Sequence, residues 1–276
     1  MRRLLAPLAL TLIPSLTLAK SIEIDASLLL DEDVTPLADT APPLDYRAEV
    51  TPIVWWSSLD ADVSIDGGSR FGMETIDGDE PQIAAGAEAR LDTQRLTFAL
   101  GGFHRSDNLD DTVATERVDT IAAGSRVDWD LDITSLSFTA GYRFDDLLPE
   151  ADVDLLLDVY AGVRMFDVDL SITGPGAQLD FDETWAAPVI GGRLRLNLPH
   201  DFDVLIDADF GYLPLGDTTV GTWSVFAGFG YHPTANVGLR VGFRHLTFDY
   251  TEDVGTGDRE FDAFLAGLYA GVVIRF

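Results

Sequence analysis

Residues 260–276 read EFDAFLAGLYAGVVIRF. Phe264, Ala266, Leu268, Ala270, Val272, Ile274 and Phe276 hold the even positions, and Gly267, Tyr269, Gly271 and Arg275 stand at odd ones. A period of two with one wholly apolar face marks a β-strand, whose successive side chains point to opposite sides of the sheet. The preceding stretch repeats the division, with Val237, Leu239, Val241 and Phe243 set against Gly238, Arg240, Gly242 and Arg244. Further back, Val225, Ala227, Phe229 and Tyr231 oppose Ser224, Gly228 and Gly230, while Phe202, Val204, Ile206, Ala208, Phe210 and Tyr212 oppose Asp203, Asp207, Asp209 and Gly211.

The same period dominates from about residue 50 onward and predicts ten strands, near 53–65, 82–91, 94–104, 126–144, 153–172, 181–198, 202–215, 221–231, 235–250 and 260–276. Asp92-Thr93, Pro199-His200 and Pro233-Thr234 fall in tight turns, whereas 66–81, 105–125, 173–180 and 251–259 are longer, polar and often rich in glycine. Short turns at one end and longer loops at the other belong to an up-and-down barrel, and an even strand count returns both ends of the chain to one side. The expected fold is all-β: a single up-and-down antiparallel transmembrane β-barrel of about ten strands spanning 50–276.

Upstream, Arg2 and Arg3 precede the uncharged apolar run Leu4–Leu18, which ends at Thr17-Leu18-Ala19. That run is too short to span a bilayer as a helix and is followed by a small residue, so 1–19 reads as a secretory signal peptide. Residues 20–49, with Asp31-Glu32-Asp33 and Pro36, Pro42 and Pro43, read as a flexible acidic periplasmic lead-in. The 276 residues contain no Cys, four His, 18 basic and 47 acidic residues, for a formal charge of −29. Cleavage after Ala19 removes Arg2 and Arg3 and takes the charge to −31. Such a balance repels phosphate backbones and excludes nucleic acid as a partner. The absence of Cys excludes a disulfide framework and thiolate metal sites, and no cofactor is expected.

Alternation alone leaves open whether the apolar face meets lipid outside or fills a soluble, lipocalin-like barrel. Lipid outside is favoured by the export signal, by Phe276 on the apolar face, and by Trp55, Trp56, Tyr142, Phe202, Tyr231 and Phe248 near strand ends, where aromatic girdles mark bilayer interfaces. The run Trp55-Trp56-Ser57-Ser58-Leu59 leading to Ile65-Asp66-Gly67-Gly68 is followed by Glu88-Ala89-Arg90, Gly141-Tyr142-Arg143, Ala161-Gly162-Val163-Arg164, Gly228-Phe229-Gly230-Tyr231, Gly242-Phe243-Arg244-His245-Leu246 and Val273-Ile274-Arg275-Phe276. In these pieces the chain resembles the small outer-membrane β-barrel proteins of Gram-negative bacteria, in particular an uncharacterised family whose barrel begins with a Trp-rich strand and an Asp-Gly turn. The resemblance covers about 50–276. It implies the outer membrane of a Gram-negative bacterium and brings no activity with it.

On the faces opposite the apolar ones lie Glu88, Arg90, Arg143, Asp158, Arg164, Arg193, Arg195, Asp207, Asp209, Arg240 and Arg244. In a narrow barrel these groups should cross the lumen, pair and plug it. Replacing Arg195 and Arg240 by Ala should then open a cation-preferring path. Asp128, Asp130, Asp132, Asp167, Asp169, Asp180 and Asp182 recur at alternate positions near the outer strand ends, as do Asp60, Asp62 and Asp66. If their face points inward, they form an acidic mouth able to attract divalent cations such as Ca²⁺; otherwise they keep an exposed rim wet. Enzyme motifs are missing, apart from His104-Arg105-Ser106 with Glu116, a spacing similar to that of outer-membrane lipid A deacylases, and His245 with acidic neighbours, as in outer-membrane proteases. The expected role is structural or surface-presenting, without catalysis. The alternatives are a narrow channel or small-ligand or cation-binding barrel and, as an outlier, a lipid hydrolase. Partners would be outer-membrane lipid and lipopolysaccharide, divalent cations, and the barrel-assembly machinery acting through the strand that ends at Phe276.

Overall fold

A computed structural model describes residues 46–64, 71–72, 81–113, 121–122, 124–145, 147, 154–255 and 257–276. The expected signal peptide, the lead-in up to residue 45, Asp66 and Glu116 lie outside the described residues. The strands are β1 (Arg47–Ser64), β2 (Phe71–Gly72), β3 (Gln82–Asp92), β4 (Leu96–Val113), β5 (Arg126–Phe144), β6 (Asp154–Gly174), β7 (Ala177–Leu198), β8 (Phe202–Leu215), β9 (Thr218–Tyr231), β10 (Val237–Asp253) and β11 (Asp258–Arg275). Apart from the two-residue β2, each pairs antiparallel with its neighbours in sequence, and β11 closes on β1 to complete a ring of ten. Following the register around the ring from Glu49, through Arg90, Ala99, Thr139 and onward to Ala263, leads back to Ala61, twelve positions up the strand (61 against 49). A stagger of that size accompanies a strand tilt of about 35–45°.

The predicted strands all form, but several run further than the polarity of their sequence suggested. The expected 173–180 loop is only the turn Pro175-Gly176, with Gly176 at φ 79° as position three of a type II turn requires. Much of 105–125 and 251–259 is strand as well. These segments looked like loops because of their acids and glycines, yet a strand needs only alternation of facing, and Asp180 between Leu179 and Phe181 keeps it.

One parity holds along each strand while its contents change. On β5 the outward side chains are Asp128, Asp130, Asp132 and Thr134, and then Leu136, Phe138, Ala140, Tyr142 and Phe144. The inward ones are Val127, Trp129, Leu131 and Ile133, and then Ser135, Ser137, Thr139, Gly141 and Arg143. On β6 outward Val159, Ala161, Val163 and Met165 give way to Asp167 and Asp169, as inward Asp158, Tyr160 and Arg164 give way to Phe166, Val168, Leu170 and Ile172. The lower part of the barrel is therefore apolar outside and polar inside, and the upper part is the reverse. Outward Tyr142, Phe144, Phe202, Tyr231 and Phe276 ring the lower edge of the apolar band, and Trp56, Tyr212 and Trp223 ring its upper edge. Two expected girdle residues belong to the interior instead: Trp55 and Phe248 are fully buried, Trp55 because it has the opposite parity to Trp56 and Phe248 because it shares the inward parity of Arg244.

Among the described residues the ring is complete only through the lower part. β7 pairs with β8 up to Val189↔Gly211, and β3 pairs with β4 up to Ala85↔His104. Above those levels the described strands fall into two groups, β4–β5–β6–β7 and β8–β9–β10–β11–β1 with β2 on the edge of β1, whose inner faces pack directly on each other. Phe166 stacks on Phe248 at 4.5 Å, Phe181 on Phe261 at 5.2 Å, and Trp185 lies 5.2 Å from Tyr250. Phe103 meets Trp55 edge-on at 5.4 Å. Two sheets joined by interdigitating inner side chains make a sandwich. A barrel below becomes a sandwich above.

Candidate functional site

The lumen of the lower part is filled from the bottom by ion pairs. Asp158 on β6 accepts from Arg90 on β3 and from Arg143 Nε on β5 at 2.8 Å. Asp92 takes the same two guanidiniums, Arg90 at 2.6 Å and Arg143 at 3.1 Å. Glu49 holds Arg240 at 3.2 Å and Arg275 at 3.4 Å, and Asp203 holds His232 at 2.5 Å. One step higher, Arg193 bridges Asp207 and, at 3.2 Å, Glu88, while the Tyr160 hydroxyl donates to Asp207. Arg164 grips Asp209 with both terminal nitrogens, at 2.8 and 2.7 Å. The planar guanidinium suits such two-pronged contacts. Asp158, Arg90, Arg164, Arg240 and Arg195 are all buried, and unpaired charge at such depth costs several kcal/mol, which is why most of these side chains join an ion pair, although Arg90 Nη1, Arg240 Nε, Asp203 Oδ1 and His232 Nδ1 have no hydrogen-bond partner among the described residues.

Of the expected network, Glu88, Arg90, Arg143, Asp158, Arg164, Arg193, Asp207, Asp209 and Arg240 are joined in these contacts. The exceptions are Arg195 and Arg244. Arg195 Nη2 has no hydrogen-bond partner among the described residues, and Arg244 lies 5.5 Å over the Trp55 ring instead of facing a carboxylate. Glu49, Asp92, Tyr160, Asp203, His232 and Arg275 were missed. Glu49 and Asp92 lay beyond the predicted strand ends, and Tyr160 carries no charge to mark it, although it shares the inward parity of Asp158.

Between the ion pairs and the aromatic core is a cavity of about 80 Å³, bordered by Ser137, Tyr160, Arg164, Asp209, Arg244 and Tyr269. At roughly 10–15 Å³ for each water centre it has room for a few waters. Of the aromatic core, Phe103 and Phe226 border it as well.

The expected acidic mouth is corrected by the parity of the strands. Asp128, Asp130, Asp132, Asp167, Asp169, Asp180 and Asp182 all point to the outer surface, because they share the parity of the lipid-facing residues below them, and Trp129, Leu131, Val168, Leu170 and Phe181 fill the interior. The register does bring the acids level: Asp132 stands opposite Asp169, and Asp169 opposite Asp182. Burial, and next the carboxylates of Asp182, Asp132, Asp180 and Asp167, raise the pKa of Asp169 above its ordinary value. Among the described residues no three His, Asp or Glu side chains converge as metal ligands.

His104 and Ser106 also project from the outer wall. His104 Nδ1 lies 3.0 Å from Thr134 Oγ1 and its Nε2 4.0 Å from Asp132, so its neighbours are on β5. His245 stacks between Trp223 at 4.5 Å and Phe264 at 5.5 Å, in the upper aromatic ring.

No family model matches the chain, and no curated protein matches it. Among solved structures it is similar to the outer membrane protease OmpT from Escherichia coli, at 11% identity and a TM-score of 0.51, over 86% of this chain and 99% of that one. Neisserial surface protein A aligns at 15% identity and a TM-score of 0.30, over 84% and 97% of the two chains. The attachment invasion locus protein Ail of Yersinia pestis aligns at 12% and 0.30, over 83% and 99%. The likeness to OmpT is one of fold, that of an outer-membrane β-barrel.

Proposed function

We propose that this chain is a non-conducting, non-catalytic barrel of the outer membrane of a Gram-negative bacterium, and that it serves to raise a rigid, acidic β-sandwich above the lipid surface. The observation that carries this reading is the double closure of the lumen, by buried ion pairs within the lipid-facing band and by an aromatic core above it. A channel would need a continuous water column through both. A hydrolase of the lipid A deacylase kind would need His and Ser to meet, and His104 is engaged with Thr134 and Asp132 instead. In this reading lipid and lipopolysaccharide surround the band, the acid rows gather divalent cations as a diffuse counter-ion layer, and the strand ending at Phe276 is what the assembly machinery reads.

Planar-bilayer recording tests it, with a heat-shift gel showing that the inserted protein is folded. Silence is expected, and stable single-channel steps would overturn the reading. The Arg195→Ala/Arg240→Ala variant is expected to stay silent too. Loosening the lower plug leaves the aromatic seal in place, which replaces the expectation from sequence that this variant would conduct.

A further inference from the structure

From Gln178 to Pro188, β7 is paired on one side only. β6 partners it throughout, but its ladder to β8 ends at Val189↔Gly211, and β8 soon turns back at Gly216-Asp217. Pro188, where the ladder stops, has no N–H to continue it. Above the lipid-facing band, one margin of β7 thus presents backbone N–H and C=O groups with no strand beside them among the described residues. Such an edge is a template for another chain, and folded proteins usually cover or blunt it.

The side chains along this margin state what could lie there. Inward, Phe181 and Trp185 are buried in the aromatic core and Glu183 binds Arg259. Outward stand Asp180, Asp182 and Thr184. Two cross-strand rows end at the margin, Asp132–Asp169–Asp182 and Asp130–Ser171–Asp180. The next strand in the sheet would set one residue directly beside Asp182 and another beside Asp180, at the distance where cross-strand charges interact most strongly. A second copy of the same edge would bring acid against acid there and be repelled. A Lys or Arg would relieve a row that already contains adjacent like charges.

We infer that the free margin of β7 is a docking edge for an extended basic segment of another protein, added as an outer strand with alternate Lys or Arg side chains beside Asp180 and Asp182. The inference rests on the proposed reading in so far as that reading places this half of the molecule outside the cell. Main-chain hydrogen bonds to β7 supply the attachment and the acids supply the choice of partner. A strand of about six residues spans the region from Gln178 to Glu183.

The test uses the folded protein in detergent and a fluorescent, end-blocked peptide of alternating Lys and Val, followed by polarisation, with a Glu-Val peptide as control. Binding of the Lys-Val peptide alone is expected, weakened about tenfold by Asp180→Lys/Asp182→Lys, a change at two exposed positions whose folding the heat-shift gel checks. N-methylating one alternate set of peptide amides should abolish binding and methylating the other set should spare it, because only one set faces β7. No binding by the native protein, equal loss from both methylated sets, or indifference to the double variant would each overturn the docking edge. Binding in detergent without labelling of intact cells would leave the edge standing and count against the outward placement alone.

Discussion

On β5, Leu136 and Asp132 point the same way from positions four residues apart, one toward lipid and the other toward water. Their inward neighbours are exchanged correspondingly, Ser135 and Ser137 below against Leu131 and Ile133 above. The backbone conformation is the same in both halves, so the surroundings decide the difference. Below, lipid is as apolar as any core, so outward Leu or Phe gains by leaving water for the bilayer and little by packing on other side chains; cohesion between strands comes from the closed ladder and from the ion pairs in the lumen. Above, water surrounds the wall and burying Phe166, Trp185, Phe248 and Phe261 between the sheets supplies the drive. The same contrast accounts for where the ring opens. An unpaired backbone group costs several kcal/mol in hydrocarbon, while water satisfies it freely, so the β7–β8 ladder ends near the top of the lipid-facing band, with Pro188 and Ala186 the last apolar outward residues of β7 beyond it.

The largest effects expected are one from each half, and they should be told apart by different measurements. Asp158→Ala leaves Asp92 alone to answer the two buried guanidiniums of Arg90 and Arg143, and a buried ion pair broken on one side costs about 3–5 kcal/mol. The urea midpoint of the whole barrel in lipid vesicles should fall. Phe166→Ala removes a ring packed on both Trp185 and Phe248 and costs a similar amount, about 3–5 kcal/mol. Here external protease should cut the upper half while a fragment within the lipid stays protected. If Phe166→Ala instead unfolds the barrel as a whole, with no protected fragment, the two halves do not differ in what holds them.

The strands, their ends near lipid and the inward charges of the lower half were legible from period two, because alternation reports facing directly. The inversion of polarity was legible in principle. Asp132 and Leu136 are both even, and one strand cannot turn its faces over without a bulge between them. Treating the acids as a polar face that continued the lumen ignored that parity. What no single strand reveals is the pairing level. Whether Asp132 meets Asp169, or Glu49 meets Arg240, depends on the stagger accumulated around ten strands. The early end of the β7–β8 ladder likewise depends on two strand lengths compared, with only Pro188 as a local hint.

A smaller effect checks the lipid boundary. Leu268, outward and 58% exposed, belongs to the band, and Leu268→Arg should cost about 2–4 kcal/mol near the bilayer midplane. Asp130 faces outward from the upper half, and Asp130→Arg should shift stability by no more than about 0.5 kcal/mol. Equal penalties in vesicle unfolding would mean that the band continues up to Asp130 and that the inversion does not mark the water line.

The smallest effect concerns the acid rows themselves. Asp169 sits between Asp132 and Asp182, and like charges directly opposite one another on adjacent strands oppose folding by about 0.2–1 kcal/mol each. Burial first, and then those carboxylates with Asp180 and Asp167, lift its pKa above the ordinary 3.8. The folded protein then holds this proton more tightly than the unfolded chain does. The stability it contributes is complete below 3.8 and is lost as pH rises through the lifted value. Asp169→Asn should therefore stabilise the upper half at neutral pH by a few tenths of a kcal/mol, up to about 1, and flatten the mildly acidic part of its pH profile. Tryptophan fluorescence follows this through Trp129 and Trp185, both buried in that half. The gain should shrink in about 1 M salt, where screening acts within a few ångströms. A variant less stable than the native protein at neutral pH and low salt would show that Asp169 is held by an attraction and that water outside the upper half does not leave the acid row in tension.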